Sequence, residues 1–140
     1  MLRNLALAFE DAGFHNYAEK YAQRSITILE AQFGPDDASL VPALNVLAEA
    51  NIAQHHYSEG RRFAMRAVSI GPNAGAHYAT ALHNLAASYH GEGKLKEAAE
   101  YYQKALAARE STLPAGHPYI GVTRSALARV QRAESLSARR

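Results

Sequence analysis

The residues of this sequence most suggestive of chemistry are His83, His90 and the glycine-containing stretch "GEGK" (91–94) that follows them. Two imidazoles can share a metal ion, but seven residues of helix would separate this pair by about 10.5 Å. Two ligands of one zinc ion need nitrogens about 2 Å from the metal. The adjacent His55 and His56 would point to different faces of a helix. We therefore expect no metal site.

The "GEGK" stretch also fails as a phosphate-binding loop. Gly91 and Gly93 are too close together for that motif, and Leu95 follows Lys94 where serine or threonine is needed. The stretch comes at the expected end of a helix, where the negative end of the dipole repels phosphate. The adjacent carboxylates of the connector at 36–37 are expected to cap a helix or to be solvated. We therefore expect neither a cofactor nor enzyme activity.

Composition narrows the class of protein further. The 140 residues are 48% hydrophobic and 20% charged, which is typical of one folded domain. There is no cysteine, so disulfides and cysteine-based zinc sites are excluded. No apolar run approaches the roughly 18 residues that cross a bilayer, and no signal peptide is recognisable. We expect a cytoplasmic protein without a membrane partner.

The net charge of +2 is unevenly spread, because five arginines lie between residues 124 and 140. A solvated final helix explains them most simply. The alternative is an acidic ligand or a nucleic-acid backbone. Exposed aromatic residues that could stack on bases are missing from this segment, so nucleic acid is not the expected partner.

The chain repeats itself. A Leu-Ala pair recurs at intervals of 42, 38 and 42 residues, beginning at Leu5, Leu47, Leu85 and Leu127. The segment "YAEKYAQRSITILE" (17–30) matches "EAAEYYQKALAARE" (97–110), 80 residues later. Such a register predicts stacked structural units rather than one irregular domain.

Each unit is predicted to be two helices. Leu82, Leu85, Ala86 and Tyr89 form one apolar stripe at helical spacing, and a second stripe starts at Leu95. Gly91 and Gly93 are expected to end the first helix. Small residues recur in the second helix of each unit, where they would let two helices approach closely. These are Ala18, Gly60 and Ala98.

The segment "ALHNLAASYHGEGKLKEAAEYYQKALAARE" (81–110) resembles a tetratricopeptide repeat (TPR). It has the Leu-Ala pair, the tyrosine four residues after that leucine, the turn glycine, and the small and aromatic residues of the second helix. The 42-residue spacing and the connectors "FGPDDASLV" and "LPAGHPYIG" are similar to the kinesin-light-chain variety. The resemblance implies an all-α fold, a right-handed superhelical solenoid of antiparallel helix pairs used as a protein-binding scaffold.

We expect one array covering residues 1–140. Repeat 1 spans about 1–34 and lacks the start of its leading helix, which suggests a longer array. Repeat 2 spans about 35–72, repeat 3 about 73–114, and a C-terminal capping helix about 115–137. Repeat 2 has Asn51 in place of the tyrosine and His55 in place of the turn glycine. The 38-residue step predicts a tighter connection at 71–78.

The leading helices of such an array line a concave groove, which we expect to bind a peptide segment of a partner protein. Asparagine side chains there can hydrogen-bond an extended peptide. The flanking positions can equally be ordinary solvated surface. The two-carboxylate clamp of co-chaperone members is absent, since Leu7, Val46 and Thr80 replace its polar groups. The candidate groove residues are Arg3, Asn4, Asn45, Glu49, His83, Asn84, His90, Arg129 and Arg132.

Two other functions remain open at this stage. The first is a self-assembling structural segment that forms homo-oligomers through exposed solenoid ends. The second is the sensor arm of a larger signalling or transport protein. The sequence identifies no particular partner.

Overall fold

The computed structural model describes residues 15–139, and in this range the chain consists of six α-helices without a strand. Candidate residues Arg3 and Asn4, and the first Leu-Ala pair, lie outside the described residues. The helices are α1 (His15–Phe33), α2 (Val41–Ala53), α3 (Tyr57–Ile70), α4 (Ala76–Gly91), α5 (Leu95–Thr112) and α6 (Pro118–Ala138). Short 3-10 turns at Ala38–Leu40 and Pro72–Ala74 precede α2 and α4.

The helices alternate between two roles. The leading helices α2, α4 and α6 carry the Leu-Ala pairs, and the trailing helices α1, α3 and α5 carry the small residues. Consecutive helices pack against each other, and the leading helices α2 and α4 also contact each other directly. The structure therefore confirms the predicted all-α helical repeat built from stacked helix pairs. The last helix, α6, occupies the segment predicted for the C-terminal helix.

The core follows the predicted stripes. Leu47, Leu85 and Leu127 are buried together with the alanines after the first two of them. Ala18, Gly60 and Ala98 are all buried as well. A Cβ atom added to Gly60 would lie 3.2 Å from the backbone oxygen of Ala48 and 2.7 Å from Cγ1 of Ile52. Backbones that approach this closely leave no room for a larger side chain at the shared position.

Replacing Ala98 with leucine is expected to lower the free energy of unfolding by about 2 kcal/mol. Ala98 is fully buried against Ala86 and Tyr102 in the cluster between α4, α5 and α6. The larger side chain would force the helices apart or into strained rotamers. Chemical denaturation measures the change. The exposed Ala107 of the same helix offers a matched control for Ala→Leu, and equal stabilities of the two variants would refute the register.

The two glycines at the C-terminal end of α4 have different roles, which corrects the prediction that both end the helix. Gly93 has a left-handed backbone with φ +75°, and a Cβ there would meet no other atom within 4 Å. Gly91 is instead the last residue of α4. Its missing side chain leaves room for the ring of Tyr57 from α3, which occupies the place of a Cβ atom. Gly91 therefore serves packing and Gly93 serves the turn.

His55 confirms its equivalence to Gly93. It is the only residue other than glycine with a positive φ in the described range, at +63°. Its imidazole Nδ1 lies 2.6 Å from the hydroxyl of Tyr57. A non-glycine residue in this conformation costs about 1–2 kcal/mol, so repeat 2 has a strained turn where repeat 3 has a relaxed one.

Substitutions at residues 93 and 55 are expected to change the free energy of unfolding in opposite directions. Gly93→Ala should lower the free energy of unfolding by about 1 kcal/mol, because the alanine must adopt a left-handed backbone. His55→Gly should raise it by about 0.5 kcal/mol, since the flexibility of glycine in the unfolded chain offsets part of the relieved strain. Thermal and urea unfolding of both variants test this. A stabilised G93A protein would contradict the assigned turn.

The 38-residue interval between the Leu-Ala pairs of repeats 2 and 3 is short because of a helix, and not because of the tighter connection that the sequence predicts. The connection between α3 and α4 comprises residues 71–75, the same number as residues 113–117 between α5 and α6. The trailing helix itself is shorter, since α3 has 14 residues and α5 has 18. Four residues are close to one helical turn. Removing them shortens α3 without rotating its apolar face, so the packing register is kept.

Capping residues support the starts of the leading helices. The carboxylate of Asp37 accepts a hydrogen bond from the backbone N–H of Ser39 at 3.0 Å, as predicted for the connector acids. This bond holds the pKa of Asp37 below its usual value. His117 has the same role before α6, where its Nδ1 accepts from the N–H of Tyr119 at 3.1 Å. Both connectors therefore end in a side-chain cap.

Candidate functional site

The candidate site is the face formed by the leading helices, here called the leading-helix face. Its described members are Asn45 and Glu49 on α2, His83, Asn84 and His90 on α4, and Arg129 and Arg132 on α6. The structure gathers six of these seven residues into two clusters. Arg132 is exposed at the far end of α6 and joins neither cluster.

The first cluster joins α2 and α4. The side-chain amide of Asn84 donates to Glu49 Oε1 at 3.3 Å. Asn45 Nδ2 donates to the backbone oxygen of His77 at 3.0 Å. Both asparagines are at most 5% exposed, which corrects the expectation that they point outward. Their side chains hold the two helices together, and only Glu49 is partly exposed.

The second cluster surrounds Tyr102 of α5. The rings of His83 and His90 lie edge-on to the Tyr102 ring, with centroids 5.1 and 6.3 Å away. The exposed guanidinium of Arg129 acts electrostatically on all three groups. The histidines thus share one aromatic ring although they cannot share one metal ion. This cluster combines apolar ring surface with a positive charge.

The electrostatics of the second cluster keep its histidines neutral. Burial, together with the nearby charges of Arg109 and Arg129, lowers the pKa of His83 to about 4. Burial and Arg129 also lower the pKa of His90. Burial raises the pKa of Tyr102. At neutral pH the imidazoles are therefore uncharged hydrogen-bonding groups.

A buried arginine connects the two clusters. Arg109 near the end of α5 is 5% exposed. Its Nη1 donates to the backbone oxygen of Tyr119 at 3.1 Å and to the hydroxyl of Thr123 at 2.5 Å. Its Nη2 lies 3.4 Å from the hydroxyl of Thr80. Arg109 therefore ties α5 to both α4 and α6.

The hydroxyl of Thr123 extends this network to the second cluster. It lies 3.1 Å from Nδ1 of His83. The hydroxyl oxygen accepts from Arg109, so the hydroxyl can donate its own proton to Nδ1 of His83 in the tautomer that leaves this nitrogen unprotonated. Protonation of His83 would replace this acceptor with a donor and reverse the direction of the hydrogen bond. Burial lowers the pKa of Arg109, and Glu49 and Tyr119 raise it.

Sequence reasoning missed Arg109, although a signal was present. Arg109 continues the apolar stripe through Tyr102 and Leu106 at spacings of seven and three residues. The matching residue 80 positions earlier is Leu29. A charged residue in a buried stripe must find polar partners, and the structure shows which ones.

Next to Arg109 lies a pocket of about 440 Å³. Its walls come from α2, the start of α4, the end of α5 and the start of α6. Its polar lining residues are Asn45, Glu49, His77, Thr80, Arg109 and Thr112. Apolar and aromatic side chains such as Val46 and Tyr119 supply the rest. We call it the Arg109 pocket.

Neither a metal centre nor a membrane span is found in the described part of the chain. Among residues 15–139, no three side chains of histidine, aspartate or glutamate come together as metal ligands. None of the helices described is long and apolar enough to cross a bilayer. The chemistry available at the leading-helix face is hydrogen bonding, ring contact and charge.

The comparisons with known proteins agree with this architecture. Residues 77–137 match the family model described as tetratricopeptide repeat. The matched span contains nearly all of α4, all of α5 and nearly all of α6. No curated protein matched the chain. Residues 77–137 are therefore similar to tetratricopeptide repeats, and α2 and α3, which lie outside that span, also pack on each other.

Proposed function

We propose that this chain is a protein–protein interaction module that binds an extended peptide segment of a partner across the leading-helix face. The family match supports an interaction role in general. The observation that carries the finer proposal is that hydrogen bonds from neighbouring helices hold Glu49 and His83 in place, beside the exposed charge of Arg129. A surface already ordered before binding loses little conformational entropy when a peptide is bound.

The charges along the leading-helix face favour one peptide orientation. Glu49 gives the α2 end a negative charge, and the exposed Arg129 and Arg132 give the α6 end a positive charge. A peptide with basic residues near α2 and acidic residues near α6 would complement both. Neutral His83 and His90 between them suit peptide N–H and C=O groups.

Selection of peptides from a random displayed library tests this proposal. We expect peptides that bind with a Kd near micromolar, about 8 kcal/mol of binding free energy. The double variant His90→Gln, Arg129→Gln should weaken their binding at least tenfold. The matched control, Arg62→Gln with Lys104→Gln, removes exposed charges from α3 and α5 and should leave binding unchanged. Equal loss in both variants would contradict the proposed surface.

Self-association is the second candidate, and one observation favours it. Val122 and Leu136 on α6 are 53% and 60% exposed, and they share a helix face with Arg129. Sedimentation velocity over a hundredfold range of concentration tests this. A concentration-independent monomer would eliminate it. The kinesin-light-chain variety, the sensor-arm role, the repeat boundaries, the cytoplasmic location and the partner itself stay predictions.

A further inference from the structure

Asn45, which lines the Arg109 pocket, has a hydrogen-bond acceptor that the described residues leave unused. Asn45 is 4% exposed, and its Nδ2 donates to the backbone oxygen of His77 at 3.0 Å. Because a carbonyl oxygen can only accept, this bond fixes which end of the amide is nitrogen. Asn45 Oδ1 is buried without a hydrogen-bond partner in residues 15–139. Buried polar atoms in folded proteins are normally satisfied, so a donor from a ligand would complete it.

Arg109 contributes the complementary donor. Both hydrogen bonds of Nη1 are short enough to hold that nitrogen in place, at 3.1 and 2.5 Å. Among residues 15–139, Nη2 has only one hydrogen bond, the long contact of 3.4 Å to Thr80, which leaves it able to donate to a better-placed acceptor. No carboxylate among the described residues forms an ion pair with Arg109.

The charge balance of the pocket restricts the ligand. Glu49 lines the same pocket, and its charge raises the pKa of Arg109, so the two opposite charges act on each other there. A ligand carboxylate would gain from Arg109 and be repelled by Glu49. A ligand ammonium group would be attracted by Glu49 and repelled by Arg109. An alkyl group would leave both Asn45 Oδ1 and Arg109 Nη2 unsatisfied.

The ligand group should therefore donate to Asn45 Oδ1, accept from Arg109 Nη2 and carry no net charge. An uncharged group with an acceptor and N–H donors does all three. We infer that the Arg109 pocket binds the side-chain carboxamide of a glutamine or asparagine in the partner peptide. Its oxygen would accept from Arg109 Nη2, and its NH₂ would donate to Asn45 Oδ1 and Glu49. The inference rests on the proposed function, since it supplies the residue preference of the peptide at one end of the leading-helix face.

Titration with capped amino acids, followed by NMR, tests the pocket without a known partner. The three probes are the N-methylamides of N-acetylglutamine, N-acetylglutamate and N-acetylnorleucine, which have side chains of similar length and of which only the first carries a primary carboxamide. We expect the glutamine probe to bind at least fivefold more tightly than either of the others at pH 7. It should shift the side-chain amide signals of Asn45 and the methyl signal of Thr80. Equal affinity of the three probes, or preference for glutamate, would overturn the inference.

Glu49→Gln provides a sharper test because it removes only the charge. The amide oxygen can still accept from Asn84, so the packing of α2 on α4 is retained. With Arg109 unopposed, the preference should reverse, and the glutamate probe should bind at least fivefold more tightly than the glutamine probe. The control Glu59→Gln changes an exposed α3 residue and should keep the original preference. An unchanged preference in E49Q would also overturn the inference.

The results separate this inference from the proposed function. Selected peptides that bind the leading-helix face while no probe enters the pocket would overturn the carboxamide assignment alone. Specific binding of the glutamine probe without any peptide binding would support the pocket and refute the wider peptide surface. Thr80→Val gives an independent check if E49Q does not fold, because it removes the competing contact of Arg109 Nη2 and should keep both the shifts at Asn45 and the preference for the glutamine probe. Loss of that preference would overturn the inference.

Discussion

Replacing Arg109 with alanine is expected to lower the free energy of unfolding by about 3 kcal/mol. The guanidinium donates to Tyr119, Thr123 and Thr80, and hydrogen bonds from charged groups contribute about 1.5–3 kcal/mol. Truncation would leave a cavity between α5 and α6 and the buried hydroxyl of Thr123 without its donor. Urea denaturation followed by circular dichroism measures the change.

Two further variants separate the network of Arg109 from its charge. Arg109→Lys keeps the charge, but an ammonium group lacks the planar guanidinium that donates to several groups at once. The free energy of unfolding should therefore fall by about half as much as in Arg109→Ala. Lys104→Ala removes an exposed cation one turn earlier on α5, where its ion pair with Glu100 is solvated, and should cost less than about 0.5 kcal/mol. An R109A protein as stable as K104A would show that the buried network does not hold the helices together.

The stability of the protein is expected to fall as the pH drops from 7 to 4, with His83 contributing about 3 kcal/mol of the loss. The pKa of His83 is about 4 in the folded chain and about 6.5 in an unfolded one. Below pH 6.5 the unfolded chain therefore binds a proton that the folded chain resists, and each unit of pKa difference is worth about 1.4 kcal/mol. The contribution is fully present above pH 6.5 and is lost as the pH approaches 4.

The variant His83→Gln isolates this effect because glutamine does not titrate. Measured at pH 7, 5.5 and 4, the free energy of unfolding of the wild type relative to that of H83Q should fall by about 3 kcal/mol in total, since only the wild type loses the His83 contribution. Carboxylates that titrate in the same range affect both proteins equally and cancel in the difference. A constant difference between the two proteins across this range would mean that His83 is not buried beside Arg109 and Arg129.

The repeat architecture could be predicted from the sequence because its signals are periodic and local. The Leu-Ala pairs and the small residues define which helix faces meet, and they do so in every unit. Gly93 and His55 could be matched as turn residues from their spacing alone. The helix ends were harder to predict from the sequence. Gly91 and Gly93 are the same residue type, and only the position of the Tyr57 ring distinguishes their roles.

The candidate site was harder to predict because its members depend on distances between helices. Asn45 and Asn84 flank the apolar stripe, and such positions are exposed or buried according to how closely the next helix packs. The 38-residue step is four residues shorter than the other two steps. The shortening could fall in a loop or in a helix, and no periodic signal in the sequence distinguishes the two. Arg109 was overlooked because its partners Thr80 and Thr123 come from other helices.

The central claim is that the leading-helix face binds a peptide, and NMR mapping of a selected peptide on the isotope-labelled chain tests it most directly. We predict that the largest chemical-shift changes occur at Glu49, His90 and Arg129, on three different leading helices. Changes confined to the outer surfaces of the trailing helices, around the exposed Ile28 of α1 and Met65 of α3, would contradict it.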